Sequence, residues 1–318
     1  MKQPVSLQIS LAPGDYRHAL HLLPHQLKQL HTQVDEIILT VDTLPGRGRF
    51  AAGWAQYKDV LDQFLRTDIM PHYNVKVVPV DYTPAVRQKI SRYFFGRDSM
   101  PVKDFRGGPF YAYFFGLHHA TNNLVFHLDS DMFLGGGSKL WVAEAVQRYG
   151  ADNNNFVMAP LPGPPRTDDT LTDQQVIKKT APFTWQLGGM STRIFLIDKS
   201  KFDNHKLILA KPSPRNRLKA LIQGHDNADL PEHLIADFIK KHQLKRVDFL
   251  GDGDGMWSLH PPYRTENFYE QLPAIIKRIE NNDLPENQRG FYDLVDEVCD
   301  WTEAREKLKR NRWWKPQR

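Results

Sequence analysis

Asn123-Leu124-Val125-Phe126-His127-Leu128-Asp129-Ser130-Asp131-Met132-Phe133-Leu134, running into Gly135-Gly136-Gly137, is the stretch that decides the fold. An apolar run of this length bounded by acids and glycines predicts a buried strand with carboxylates at its tip. In an extended chain residues two apart face the same way, so Asp129 and Asp131 are expected to converge where the backbone leaves the sheet. Two convergent carboxylates are hard oxygen ligands of the kind Mg²⁺ or Mn²⁺ takes, with water and a substrate phosphate filling the remaining positions. Taken alone, the same pair reads as an ordinary strand end with solvated acids, so the flanking pattern has to decide.

Three strand-helix units precede it. Val5 to Leu11 alternates apolar with polar and ends at Ala12-Pro13-Gly14-Asp15, and a helix to about His31 follows with Leu20, Leu23, Leu27 and Leu30 at helical spacing. Asp35 to Asp42 is a second strand, Trp54 to Arg66 a second helix, and Asn74 to Asp81 a third strand. Strands alternating with helices predict right-handed crossovers and a doubly wound, mostly parallel sheet, with ligands gathered beyond the strands' C-terminal ends. Asp15, Asp42, Asp81, Asp129 and Asp131 are all expected there, although Asp also favours turns at strand ends for purely local reasons. A helix over about Pro84 to Phe95 comes next. The loop Lys103-Asp104-Phe105-Arg106-Gly107-Gly108 then opens a helix over Pro109 to Ala120. Glycines at a helix start leave backbone N–H groups for an anion, with Lys103 and Arg106 adding charge; a flexible loop would show the same residues.

Beyond the triple glycine the pattern gives a helix from Ser138 to Tyr149 and a strand from Asn155 to Pro160. Leu161 to Asp173, rich in Pro, Asp and Thr, is expected to be a long surface loop of the kind that covers substrates. Phe183 to Met190 and Ser191 to Asp198 read as strands, and Gly188-Gly189 would admit close approach of a ligand or form a bulge. Lys199 to Asn227 has weak patterning. A helix is expected from Asp229-Leu230-Pro231-Glu232, a strand over Arg246 to Leu250, and a helical remainder from Asn267 to Arg312.

At 318 residues, 41% hydrophobic and 25% charged, the composition is that of a globular chain with a substantial core. The formal net charge of +5 suits anionic substrates, but the basic residues are dispersed and no nucleic-acid recognition motif occurs. The single cysteine, Cys299, excludes an intrachain disulfide and a multi-cysteine metal site, and is expected buried in a helix. No run approaches the roughly 20 apolar residues that span a bilayer, which predicts a soluble, cytoplasmic protein. The tail Lys307 to Arg318, with Trp313 and Trp314 among cations, could rest peripherally on an anionic membrane or dock on its own domain.

This order of elements, with Leu128-Asp129-Ser130-Asp131 as its sharp motif, resembles a GT-A fold glycosyltransferase, closest to the family 2-like branch. The resemblance implies a GT-A-like catalytic domain over residues 1–265, divided into a nucleotide-sugar half (1–135) and an acceptor half (136–265), with a helical C-terminal extension over 266–318. It implies Mn²⁺ or Mg²⁺ held by Asp129 and Asp131 and completed by His260, with Asp129 also reaching the donor ribose. It implies a nucleotide-sugar donor, foremost a UDP-sugar, met by Ala12, Asp42, Asp81, Arg106, Gly188 and Gly189. A saccharide, lipid or protein would be the acceptor. In inverting members a carboxylate at a helix start serves as base, and here Glu232 stands in that place with Asp229 and Asp226 as competitors. The usual Glu-Asp pair is absent, and a retaining reaction would need no such base.

Two other readings compete. Haloacid-dehalogenase phosphatases also carry Asp-x-Asp after an apolar strand and a late Gly-Asp-Gly, echoed by Gly251-Asp252-Gly253, but Phe133 and Met256 stand where that family wants a Thr or Val and an acid. A catalytically weak chain of the same fold that only binds a nucleotide-sugar or glycan would show the same sequence features.

Overall fold

The computed structural model describes residues 3–46 and 51–310, so Trp313 and Trp314 of the basic tail lie outside the described residues. The N-terminal half comprises β1 (Val5–Leu11), α1 (Tyr16–Leu30), β2 (Glu36–Val41), α2 (Trp54–Phe64), β3 (Lys76–Pro79), α3 (Pro84–Phe95), α4 (Tyr111–His119), β4 (Leu124–Asp129) and β5 (Phe133–Gly135). There follow α5 (Trp141–Ala151), β6 (Asn155–Pro162), β7 (Val176–Ala181), β8 (Thr184–Leu187), β9 (Ile194–Asp198), α6 (Lys201–Asn204), α7 (Pro214–Gln223), α8 (Pro231–Lys241), β10 (Lys245–Phe249), β11 (Trp257–Leu259), α9 (Glu266–Glu280) and α10 (Thr302–Arg310). Among the described residues no helix is long and apolar enough to cross a membrane.

The main sheet runs β3-β2-β1-β4-β9-β6-β10-β8-β7. β1 pairs in parallel with both β2 and β4, and β6 with β10, while β9 and β8 run antiparallel. The expected class, a mixed and mostly parallel α/β sheet flanked by helices, is what the chain adopts. Strand order reverses between β1 and β4, so the crevice beyond their C-terminal ends is the topological switch point where open α/β sheets bind ligands.

The period-2 rule explains how β4 is covered. Leu124, Phe126 and Leu128 join the core on one face with Leu23 and Leu27 of α1 and Trp141 of α5, while Val125 joins Phe114 and Phe115 of α4 on the other. Burial on both faces is why the strand reads as a continuous apolar run. The glycines after it have geometric work. A Cβ on Gly135 would collide with the Trp257 indole, and Gly136, at φ +86°, packs against the backbone of Asp254 and Gly255. β5 and β11 thereby pair antiparallel, and β11 joins them to β6 of the main sheet.

Several expectations are corrected. Leu20 is turned toward solvent, and Leu22, with the expected Leu23, is buried in its turn. β7, a strand exposed along its whole length, lies in a segment without apolar alternation and pairs with β8, where Lys179 lies over the Trp185 ring. The 161–173 stretch is not a free loop at its start. Gly163, at φ +89°, lies against the Phe291 backbone, and Gly290 N–H donates to Pro164 O at 2.7 Å. The C-terminal part is helical only in α9 and α10; between them residues 281–301 are irregular apart from one 3-10 turn at Glu286–Gln288, and Cys299 is buried there outside any helix. Phe268, Leu272, Ile275 and Trp301 share a core with Phe133, Leu161 and Trp257, so this segment packs onto the edge of the switch point.

Candidate active site

Beyond the β2 tip, Asp42 is buried and fully engaged. Its Oδ1 accepts from the Tyr82 hydroxyl at 2.6 Å and Leu44 N–H at 3.0 Å, and its Oδ2 accepts from Lys103 Nζ at 3.0 Å. Lys103 is itself buried, an ion pair that removal from water makes costly unless both partners stay matched. Beside them opens a cavity of about 430 Å³ lined by Leu44, Pro45, Val102, Lys103 and Asp226. Asp226 shapes its wall by accepting from Val102 and Lys103 N–H at 3.0 and 2.9 Å. Asp81 plays a local part, with its carboxylate accepting from Thr83 N–H at 2.7 Å at the start of α3. Arg106 is exposed over the Phe105 ring, so the buried cation of this pocket is Lys103, which the same loop sequence carries three residues earlier.

The β4 tip is built differently. β4 ends at Asp129, and residues 130–131 turn, so the alternation that would aim both carboxylates at one point stops one residue short. Asp129 keeps the side of Val125 and His127. Its carboxylate is 39% exposed and lies 3.4 Å from His127 Nε2. Asp131, in the turn beyond the strand, is 2% exposed. There it pairs with the Arg264 guanidinium, and His260 Nε2 stands 3.9 Å from the same oxygen. Burial opposes its ionisation, but the Arg264 guanidinium outweighs this and holds the carboxyl well below the usual carboxylate range. Its other oxygen, Oδ1, is buried without a hydrogen-bond partner.

Further groups complete this crevice. The Asp15 carboxylate accepts from Ala12 N–H at 2.8 Å, and burial, opposed by Arg264, pushes its carboxyl up to about 6. His18 bonds Ser130 Oγ at 3.1 Å and is held neutral, its pKa lowered to about 3 by burial and then by Arg264. His260 Nδ1 lies 2.8 Å from the Asp293 carboxylate, and its ring stacks at 6.0 Å on Tyr292. A carboxylate behind a histidine fixes the tautomer that leaves Nε2 as a lone-pair donor, the arrangement found behind metal-ligating histidines. Sequence reasoning missed Asp293 and Arg264 as partners of Asp131 and His260, because no local spacing links them.

Asp131 Oδ1 and His260 Nε2 therefore fit a divalent cation with two protein ligands, the remaining oxygens coming from phosphate and water. Asp129 is not brought into that pair. Among the described residues no group of three or more His, Cys, Asp or Glu side chains converges closely enough to hold a metal.

Glu232, in the first turn of α8, accepts from Thr192 Oγ1 at 3.1 Å. Thr192 precedes Arg193, whose carbonyl takes the Asp129 N–H at 2.7 Å. Near both acids lies Tyr113, whose hydroxyl is buried with no partner; burial first, then Asp129 and Glu232, raise its pKa far above the ordinary phenol. Asp229, one of its two competitors, bonds His233 at 2.9 Å. A second pocket, of about 190 Å³, has Arg246, Asp248, Gln174, Ser191, Ser258 and Tyr292 among its walls. Arg246 grips Asp248 through two bonds of 2.8 and 2.6 Å and donates to Gly189 O at 3.0 Å. Gly189 thus lines this pocket, whereas Gly188 is exposed and its N–H bonds Gln175 O at 2.8 Å.

No protein-family model matches the chain, and no curated protein matches it by sequence. Among solved structures, residues 1–349 of S. aureus TarS in complex with UDP-GlcNAc align over 99% of this chain and 76% of theirs, at 13% identity and TM-score 0.42. A longer TarS structure aligns over 98% and 44% at 14% identity and TM-score 0.41. UDP-glucose pyrophosphorylase with UDP-glucose aligns over 78% and 90%, at 8% identity and TM-score 0.40. Likeness this shallow bears no functional weight; the geometry of the site itself carries the functional reading.

Proposed function

We propose that this protein is a glycosyltransferase that moves a sugar from a nucleoside-diphosphate donor to an acceptor hydroxyl, and the observation that carries the reading is Asp131. A buried, ionised carboxylate with one oxygen unpartnered is expensive to maintain, and it sits at the topological switch point facing a histidine fixed by a second carboxylate.

In this reading the nucleoside lies in the cavity beside Asp42, Tyr82 and Lys103, and the half-exposed Asp129 meets the ribose. Asp131 and His260 hold a Mg²⁺ or Mn²⁺ ion, which when bound supplies Lewis-acid neutralisation of the diphosphate. Arg264, on the same Asp131 carboxylate, adds a cation on the side where charge develops. As the acceptor oxygen bonds to the anomeric carbon, the bond from that carbon to the diphosphate breaks and its electron pair leaves with the phosphate. Glu232 takes the acceptor's hydroxyl proton, a role suited to single displacement with inversion. The pocket floored by Arg246 and Asp248 receives the acceptor. An ion pair there offers donors and acceptors of zero net charge, as a neutral saccharide requires.

The test is to incubate the protein with UDP-sugars and Mn²⁺ and to follow UDP release with and without an acceptor panel. Release that disappears in Asp131→Asn supports the reading. Binding of UDP with no release would favour a nucleotide-sugar binder, and hydrolysis of an aryl phosphate would favour a phosphatase.

A further inference from the structure

Between Asp203 and Asp226 the chain carries no acidic residue, while Lys206, Lys211, Arg215, Arg217 and Lys219 give it five cations. The helix in this stretch, α7, is turned inside out. Leu218, Leu221 and Ile222, spaced i, i+3, i+4 and hence on one face, are 60%, 78% and 77% exposed, the last two being the most exposed large apolar side chains among the described residues. Arg215, Arg217 and Lys219 beside them are exposed as well. The helix is nonetheless held in place. Ser213 Oγ accepts from Asn216 N–H at its start, and Ala220, on the inward side, packs with Phe105 and Leu230. An apolar stripe at helical spacing, pinned outward on a helix whose charged residues are all cations, is the pattern of a helix lying in a lipid interface.

We propose that α7 docks the protein on an anionic membrane surface, with Leu218, Leu221 and Ile222 entering the acyl boundary and Arg215, Arg217 and Lys219 meeting the headgroups. Charge selects this occupant. Two copies meeting through this face would oppose like charges, and a ten-residue helix with three apolar side chains falls well short of the roughly 800 Å² per partner in a stable dimer. The docked helix would also stand close to the nucleotide-side cavity. Its last residue is Gln223, and Asp226, three positions on, forms part of that cavity's wall. The proposal does not depend on the reaction catalysed.

The experiment is co-sedimentation of the full chain with vesicles of phosphatidylcholine alone and of phosphatidylcholine with about one-third phosphatidylglycerol. The expected result is pelleting with the anionic vesicles only, weakened at least about tenfold in Leu221→Glu/Ile222→Glu with melting temperature unchanged. Because the sole native cysteine, Cys299, is buried, Leu221→Cys can carry an environment-sensitive dye, whose emission should shift to the blue on anionic vesicles. Absence of vesicle binding overturns the proposal. So does binding that survives Leu221→Glu/Ile222→Glu but disappears when residues 311–318 are removed, and so does a vesicle-free dimer that the double variant converts to monomer.

Discussion

Two strand tips in this sheet each carry a buried aspartate, and they are finished in opposite ways. At the β2 tip every oxygen of Asp42 is engaged by Tyr82, Leu44 and Lys103. At the β4 tip Asp131 has one oxygen on Arg264 and the other on nothing. Burial sets a desolvation cost on both, so the difference lies in what each is for. A saturated pair builds a wall that stays put whether or not a ligand is present. An unsaturated one holds strain that a ligand relieves, as pre-organised sites do. The Tyr113 hydroxyl, also buried and unpartnered near Asp129 and Glu232, belongs to the second kind.

The contrast can be broken by substitution. Asp131→Asn should lower UDP-sugar turnover on the order of 10³-fold, as expected when a charge is lost at a preorganised site, with a smaller stability loss than Asp42→Asn because the Arg264 side chain it leaves is 43% exposed. Asp42→Asn should do the reverse. It leaves Lys103 buried and unpaired, so chemical denaturation should show a loss of about 3 kcal/mol, with turnover reduced mainly through a higher donor KM. If the two variants behave alike, the distinction between wall and working group fails. A smaller effect is expected at Glu232, where Gln should reduce kcat about 10²-fold with donor KM unchanged. Equal loss in Asp229→Asn would move the base to that residue.

The smallest effects concern pH. Burial raises Asp15 from 3.8 to about 6, so the folded protein binds a proton that the unfolded chain has released, and stability falls as pH rises from about 4 to about 6. Glu36 behaves oppositely. Burial disfavours its ionised form, but bonds from Ser6, Thr121 and Lys76 prevail and lower it from 4.5 to about 2, so its contribution is lost as pH falls through that range. Melting temperature measured against pH should therefore peak near pH 4 to 5 from these two groups, and Asp15→Asn should flatten the descending limb alone.

How much of the molecule was legible in the sequence depends on what is local. The strand-helix alternation and the burial of β4 depend on period and composition, and both hold. Asp129 and Asp131 were located, but their shared direction was not, because strand periodicity predicts side-chain facing only while the strand lasts, and β4 stops at Asp129. Lys103 stood in the 103–108 loop beside Arg106, yet only the fold tells that it turns in toward Asp42 and Arg106 turns out. Arg264 and Asp293 were invisible as partners, since they reach Asp131 and His260 across sequence separations of 133 and 33 residues. β7 escaped because it is exposed along its whole length, so no buried face marks it in the sequence.

The most direct test of the central claim is calorimetric titration of UDP into the protein with and without Mn²⁺, repeated on Asp131→Asn and Asp42→Asn. If Asp131 and His260 form the cation side of a nucleotide-sugar site, Mn²⁺ should tighten UDP binding at least about tenfold in the parent and in Asp42→Asn, and not at all in Asp131→Asn. UDP binding to the parent that is indifferent to Mn²⁺, or an enhancement that survives in Asp131→Asn, would contradict it.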